Sequence, residues 1–206
     1  MVHDWFTVHD GLAGAARVPS LARAGNRVSA LELLLLLSCG AAAAAAVAYV
    51  KLSLRIPGHS IVLAALPMVL GMALAPRRLA GSVMSAGAIG TAWLLSGAGG
   101  ASFGSGSSVS LLLIGPMMDV AVRHARSGWR VYTALVLAGV TTNLLALGSR
   151  AAFKVLGLDL AAGARPFDSW WLQASVTYTL SGVVAGLLGA LCWFHFRDRT
   201  SDGPRP

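Results

Sequence analysis

Apolar residues run along this chain in six blocks, at about 29–50, 58–76, 79–98, 108–123, 131–149 and 170–196, and polar residues gather between them. Arg, Lys, Pro and Gly mark the block boundaries. A helix needs roughly 20 mostly apolar residues to cross the hydrocarbon core of a bilayer. Each block reaches or approaches that length. The pattern predicts an all-α membrane protein, a bundle of six transmembrane helices over residues 28–197. Residues 1–27 then form a cytoplasmic segment, interfacial or disordered, and residues 198–206 a short cytoplasmic tail.

Composition supports the bilayer as solvent. Hydrophobic residues make up 56% of the 206 and charged residues 12%, with mean hydropathy +0.70, too little polar surface for a soluble domain. Six short-looped spans leave no room for a second, soluble domain. The net charge of +8 sits at the block ends, where Arg and Lys anchor helices and meet anionic head groups, so nucleic acid is the weaker partner. With the N-terminus inside, eleven of the sixteen Lys and Arg fall on cytoplasmic segments, among them Arg27, Arg77, Arg78, Arg123 and Arg130. The outer five are Lys51, Arg55, Arg150, Lys154 and Arg165, and the asymmetry predicts N-in, C-in topology in the cytoplasmic (inner) membrane. The first 27 residues carry no signal-peptide pattern. Cys39 and Cys192 both lie inside blocks, as small packing residues rather than a bridge.

Within the blocks, a few residues stand out. Glu32 occupies the first turn of the first helix, a structural position for an acid. Gly40 and the six alanines Ala41 to Ala46 let another backbone approach closely, either inside this bundle or on a separate subunit. Pro67 falls in the middle of the second block. The connection from Gly97 to Ser108 carries no charge, so it is expected to fold back into the protein and line a cavity. Asp119 is the one carboxylate well inside a block. Arg123, one turn on, offers an ion pair, with a ligand or coupling role as the alternative. Trp170 and Trp171 open the sixth helix as an interface anchor.

Candidate solute chemistry gathers on the predicted outer side. Arg55 and His59 flank the Pro57-Gly58 turn at the mouth of the second helix, whose N-terminus favours an anion; the alternative is an interfacial cap. Asn143, Gln173 and Tyr178 are uncharged hydrogen-bonding groups in the outer halves of helices five and six, either interhelical glue or solute contacts. Other motifs carry little. Gly100-Ala-Ser102-Phe-Gly104 arises by chance in a Gly/Ser run, with no histidine placed to serve it. His3 and His9 form no metal set with zinc spacing, and no phosphate-binding loop or dinucleotide fingerprint occurs.

Over residues 28–197 the layout resembles the substrate-binding S component of energy-coupling-factor transporters: six helices, a basic inner face, uncharged or mobile outer connections and an Ala-rich first helix. In that family an Ala-x-x-x-Ala pattern docks the membrane coupling subunit, and Ala41 with Ala45 and Ala42 with Ala46 match it. The resemblance implies that segments 51–59, 97–108 and 148–169 close over a small solute held among helices four to six. Two partner ATPases would drive its release through the coupling subunit. It implies neither catalysis nor a cofactor in this chain. Cobalt- and nickel-specific relatives start Met-His on the outer side, whereas Met1-Val2-His3 falls on the predicted inner side, so no metal is carried over. The competing reading is a non-transporting accessory or scaffold membrane protein. An outer cavity lined by polar groups separates the two.

Overall fold

All six apolar blocks become helices. The computed structural model describes residues 29–50, 58–125, 129–157 and 167–201, except the side chains of 168, 169 and 196–201. In chain order the helices are α1 (Ala30–Tyr49), α2 (Ser60–Leu74), α3 (Ala80–Gly97), α4 (Ser105–His124), α5 (Trp129–Val155) and α6 (Phe167–Ser201), with no strand among the described residues. Four are long and apolar enough to cross a membrane: α1, α4, α5 and the Trp170–His195 stretch of α6. Large apolar side chains such as Trp93 and Leu94 stand 78% and 74% exposed, a surface that water would penalise and lipid would not. The chain is a multi-pass membrane protein by these features.

Neighbouring helices succeed one another around the bundle as α1, α3, α4, α5 and α6, while α2 packs against α1, α3, α4 and α6. That central place suits α2, which buries Ile61, Ala64, Ala65, Met68, Val69, Gly71 and Met72. It also lets the bundle tolerate Pro67 inside the helix, because neighbours shield the backbone it disturbs. One end of the bundle, here the basic end, holds the start of α1 and the α2–α3 and α4–α5 connections. There Arg77 pairs with Glu32 at 2.8 Å, and Tyr132 stacks on Phe194 with ring centroids 5.0 Å apart.

Helix starts are explained by their capping. Ser29 and Glu32 form a reciprocal capping box on α1, with Ser29 N donating to Glu32 Oε2 at 3.2 Å. The first turn of α3 has no such local help, because its N-cap is Leu79. Asp119 supplies it from α4 instead: Oδ1 accepts from Gly81 N at 2.8 Å, and Oδ2 from Ser82 N at 2.8 Å and Ser82 Oγ at 2.7 Å. The helices approach closely enough for this because Gly81 and Gly115 face each other, and a Cβ on either would meet the other's carbonyl oxygen.

Several expectations are corrected. Asp119 does not pair with Arg123, which donates instead to the Arg78 carbonyl at 2.8 Å; one turn along a helix is a weaker attraction than a helix N-terminus presenting two N–H groups. The Gly97–Ser108 connection turns inward only at its end, where Gly106 is buried in the first turn of α4. Residues 97–100 and Ser102 are exposed, and only Phe103 leans on the core, because Gly and Ser offer no apolar side chain to bury. Helix α5 overruns its apolar block to Val155, with Arg150 and Lys154 still helical over the face of Trp170 at 5.9 and 5.5 Å from its centroid. The alanine run is split by helical phase: Gly40, Ala43 and Ala44 are buried, Ala41, Ala45 and Ala46 half-buried, and Ala42 exposed.

Candidate functional site

The polar features that no structural role absorbs meet at the end opposite the basic one. The chain enters α2 through Gly58, whose φ of +87° is open to glycine and strained for other residues. A Cβ there would lie 3.0 Å from Tyr178 Cγ and 3.2 Å from Asn143 Nδ2, so the turn is pressed against α5 and α6. Asn143 is fully buried on α5. Its amide donates to the Tyr178 carbonyl at 2.7 Å and to the Gly58 carbonyl at 3.3 Å, tying α5, α6 and the entry to α2 at one point. Tyr178 is 3% exposed, and its hydroxyl reaches toward Gly106 in the first turn of α4.

This junction lies where α5 and α6 project as a hairpin beyond the start of α2. Val69 meets Gly189 and Gly58 meets Tyr178 at the same sequence offset, so α2 runs parallel to α6. By that register Ser60 is level with Leu180, about ten residues or roughly 15 Å deeper than Trp170. The first turn of α4 meets the same level, with Gly106 against the Tyr178 hydroxyl, and residues 58–60 are half-buried, so α2 starts beside the projecting α5–α6 hairpin. The N-terminus of α2 carries partial positive charge.

Two buried polar atoms of α5 lack hydrogen-bond partners, one at the junction and one on the neighbouring residue. Both N–H groups of Asn143 have acceptors, but its Oδ1 has no donor, and Thr142 Oγ1 beside it has neither donor nor acceptor. The contrast with α6 is informative, because Ser175, Thr177 and Thr179 each close a hydroxyl bond onto the carbonyl one turn back. Each unpaired buried polar atom costs about 1–3 kcal/mol, a cost that an incoming hydrogen-bonding molecule would remove.

Asn143, Tyr178 and the Gly58 turn lie against one another, and His59 follows as the half-buried N-cap of α2. Gln173 does not join them; it is exposed on α6, five residues and so about 140° around the helix from Tyr178. Arg55 lies outside the described residues. Thr142, Gly58 and Gly106 join the junction without having been singled out as site residues. For Thr142 the signal was there, in the polar triplet Thr141-Thr142-Asn143 interrupting an apolar block. Asp119 is 4% exposed and its carboxylate is engaged by α3, which makes it a structural cap. Among the described residues no three His, Cys, Asp or Glu side chains gather as a metal site. Comparison with family models, with curated proteins and with solved structures gave no match to this chain.

Proposed function

We propose that this chain is the solute-binding membrane subunit of an importer of the energy-coupling-factor type, with six spans, N-in and C-in, in the inner membrane. The observation that carries the reading is a buried asparagine, against the entry to α2, whose carbonyl oxygen has no donor. A scaffold gains nothing from a buried acceptor left open; a binding protein uses it to orient an N–H or O–H of its solute. The site takes a small, hydrogen-bond-donating solute and performs no chemistry on it. Asn143, Thr142, Tyr178 and the His59 turn hold the solute, and Arg55 joins them from the connection before α2. Gln173 stands on the outer rim.

The docking face is the outer side of α1. Leu34, Ser38 and Ala42 are exposed there at one-turn spacing while Gly40, Ala43 and Ala44 are committed to the bundle, so of the two alanine pairs Ala42 with Ala46 is the one offered to a coupling subunit. ATPase subunits then act through that partner. The non-transporting accessory or scaffold reading draws on a different fact, the two bonds by which the Asn143 amide ties three elements together as glue.

Copurification separates the two. The tagged full-length chain is extracted in mild detergent, and its partners and retained small molecules are identified by mass spectrometry. The transport reading expects a membrane coupling protein with ATPases, and a small molecule lost in Thr142→Val and Asn143→Leu. A chain that retains no small molecule and brings no ATPase refutes it in favour of the scaffold.

A further inference from the structure

The start of α4 repeats the start of α3 position for position, and at α3 those positions hold a carboxylate. We propose, resting on the solute-binding reading above, that the solute itself carries a carboxylate, held by the first turn of α4 through Gly106 N, Ser107 N and Ser107 Oγ.

At α3 the N-cap Leu79 offers no capping side chain. The second and third helical residues, Gly81 and Ser82, bind the Asp119 carboxylate through two N–H groups and a hydroxyl. At α4 the N-cap is Gly104, which has the extended backbone of a cap but no side chain to act as one, and the second and third helical residues are again glycine and serine, Gly106 and Ser107. The first backbone bond of α4 runs from Ser108 N to Gly104 O at 3.1 Å, so the N–H groups of Gly106 and Ser107 have no acceptor among the described residues. Gly106 is buried and Ser107 half-buried, so water serves this turn poorly while an anion suits it.

The polar atoms facing this turn point to a ligand. A Cβ at Gly106 would lie 3.1 Å from Tyr178 Oη and 3.5 Å from the Ala146 carbonyl oxygen, which sets the turn against the junction. Thr142 and Asn143 precede Ala146 by four and three residues, on the same face of α5 and about one turn, roughly 5 Å, nearer the basic end. Both residues are fully buried, and Thr142 Oγ1 and Asn143 Oδ1 are unpaired. A solute whose carboxylate caps α4 brings its own N–H or O–H donors to these two oxygens. At this end of the bundle Asp168 begins α6 ten residues, or about 15 Å, from Tyr178, and Asp159 lies outside the described residues.

The test is nuclear magnetic resonance of the ¹⁵N-glycine-labelled full-length chain in mild detergent, with the Gly106 amide assigned through Gly106→Ala. The titrants are sodium 4-hydroxybutyrate, which carries a hydroxyl donor beyond its carboxylate, and 4-hydroxybutyramide, which lacks the charge. The expected result is a saturable shift of the Gly106 amide by the acid at concentrations about tenfold below those of the amide. Ser107→Ala and Thr142→Val should each weaken the response to the acid about fivefold. Equal response to acid and amide overturns the carboxylate assignment; if that response is lost in Asn143→Leu, the solute-binding reading survives. Inorganic phosphate as effective as the acid at equal ionic strength marks an adventitious ion only and overturns the proposal. So does a Gly106 amide that moves, with no titrant present, in Asp159→Asn or Asp168→Asn, because the chain then caps α4 with its own acid. No response to either titrant overturns it as well, and the copurified partners then decide the importer reading on their own.

Discussion

Asp119→Ala tests whether one side chain from α4 holds the start of α3. The substitution leaves Gly81 N, which is buried, and Ser82 N, which is half-buried, without their acceptors. A charge-assisted bond to a backbone N–H contributes about 1.5–3 kcal/mol, and a buried donor left unpaired forfeits most of that. Water reaches Ser82 more readily, so its share is about 1 kcal/mol, and the total comes to about 3–4 kcal/mol. For a chain of this size each kcal/mol shifts the unfolding midpoint by about 2–4 °C, so the loss is on the order of 10 °C. The assay is thermal unfolding in detergent, followed by size-exclusion chromatography of the surviving monodisperse protein. Two companion variants make the result specific. Arg123→Gln removes one exposed bond and should cost only about 1 kcal/mol. Leu79→Ser, introduced beside Asp119→Ala, supplies a local cap and should restore about 1 kcal/mol. If Arg123→Gln is as damaging as Asp119→Ala, or if Leu79→Ser restores nothing, the cross-helix cap is not what stabilises α3.

Three further outcomes are expected. Gly58→Ala forces a Cβ against Tyr178 and Asn143 at a positive φ, costing about 1–2 kcal/mol from the backbone alone, and should abolish retention of any small molecule; unchanged stability and retention would refute the junction. Ala43→Leu overpacks a fully buried site and should cost about 1–3 kcal/mol, whereas Ala42→Leu should leave melting unchanged and abolish recovery of partner subunits in the same pull-down. Gly115→Leu separates α3 from α4 and should collapse the yield of monodisperse protein, more severely than Gly90→Leu.

The six helices were legible because a bilayer demands long apolar runs, and that demand is written in composition along the chain. The helix-start position of Glu32 was legible for a similar reason, since its capping partner Ser29 lies within one turn, whereas its ion-pair partner Arg77 lies 45 residues away. Asp119 was misread because a neighbour at one-turn spacing is visible in a sequence and a partner 38 residues away is not. The available signal was negative: α3 opens Leu79-Ala80-Gly81 with no Ser, Thr, Asp or Asn to cap it. Gln173 was grouped with Tyr178 by depth, but depth does not set the direction in which a helical residue points. The projection of α6 beyond the start of α2 could not be read from the apolar block of α2, which begins at residue 58. It follows from the register of α2 against α6, a relation between distant segments.

The cap on α3 also bears on how the chain is made. Helix α3 is Gly- and Ser-rich and falls outside the four long apolar stretches, so on its own it partitions weakly from the translocon into lipid. Its N-terminal N–H groups find their acceptor only when Asp119 has been synthesised and has emerged from the ribosome. Asp119, in turn, is costly in hydrocarbon until it meets those groups. Each helix supplies what the other lacks, so inserting α3 and α4 together as a hairpin costs less than inserting either alone.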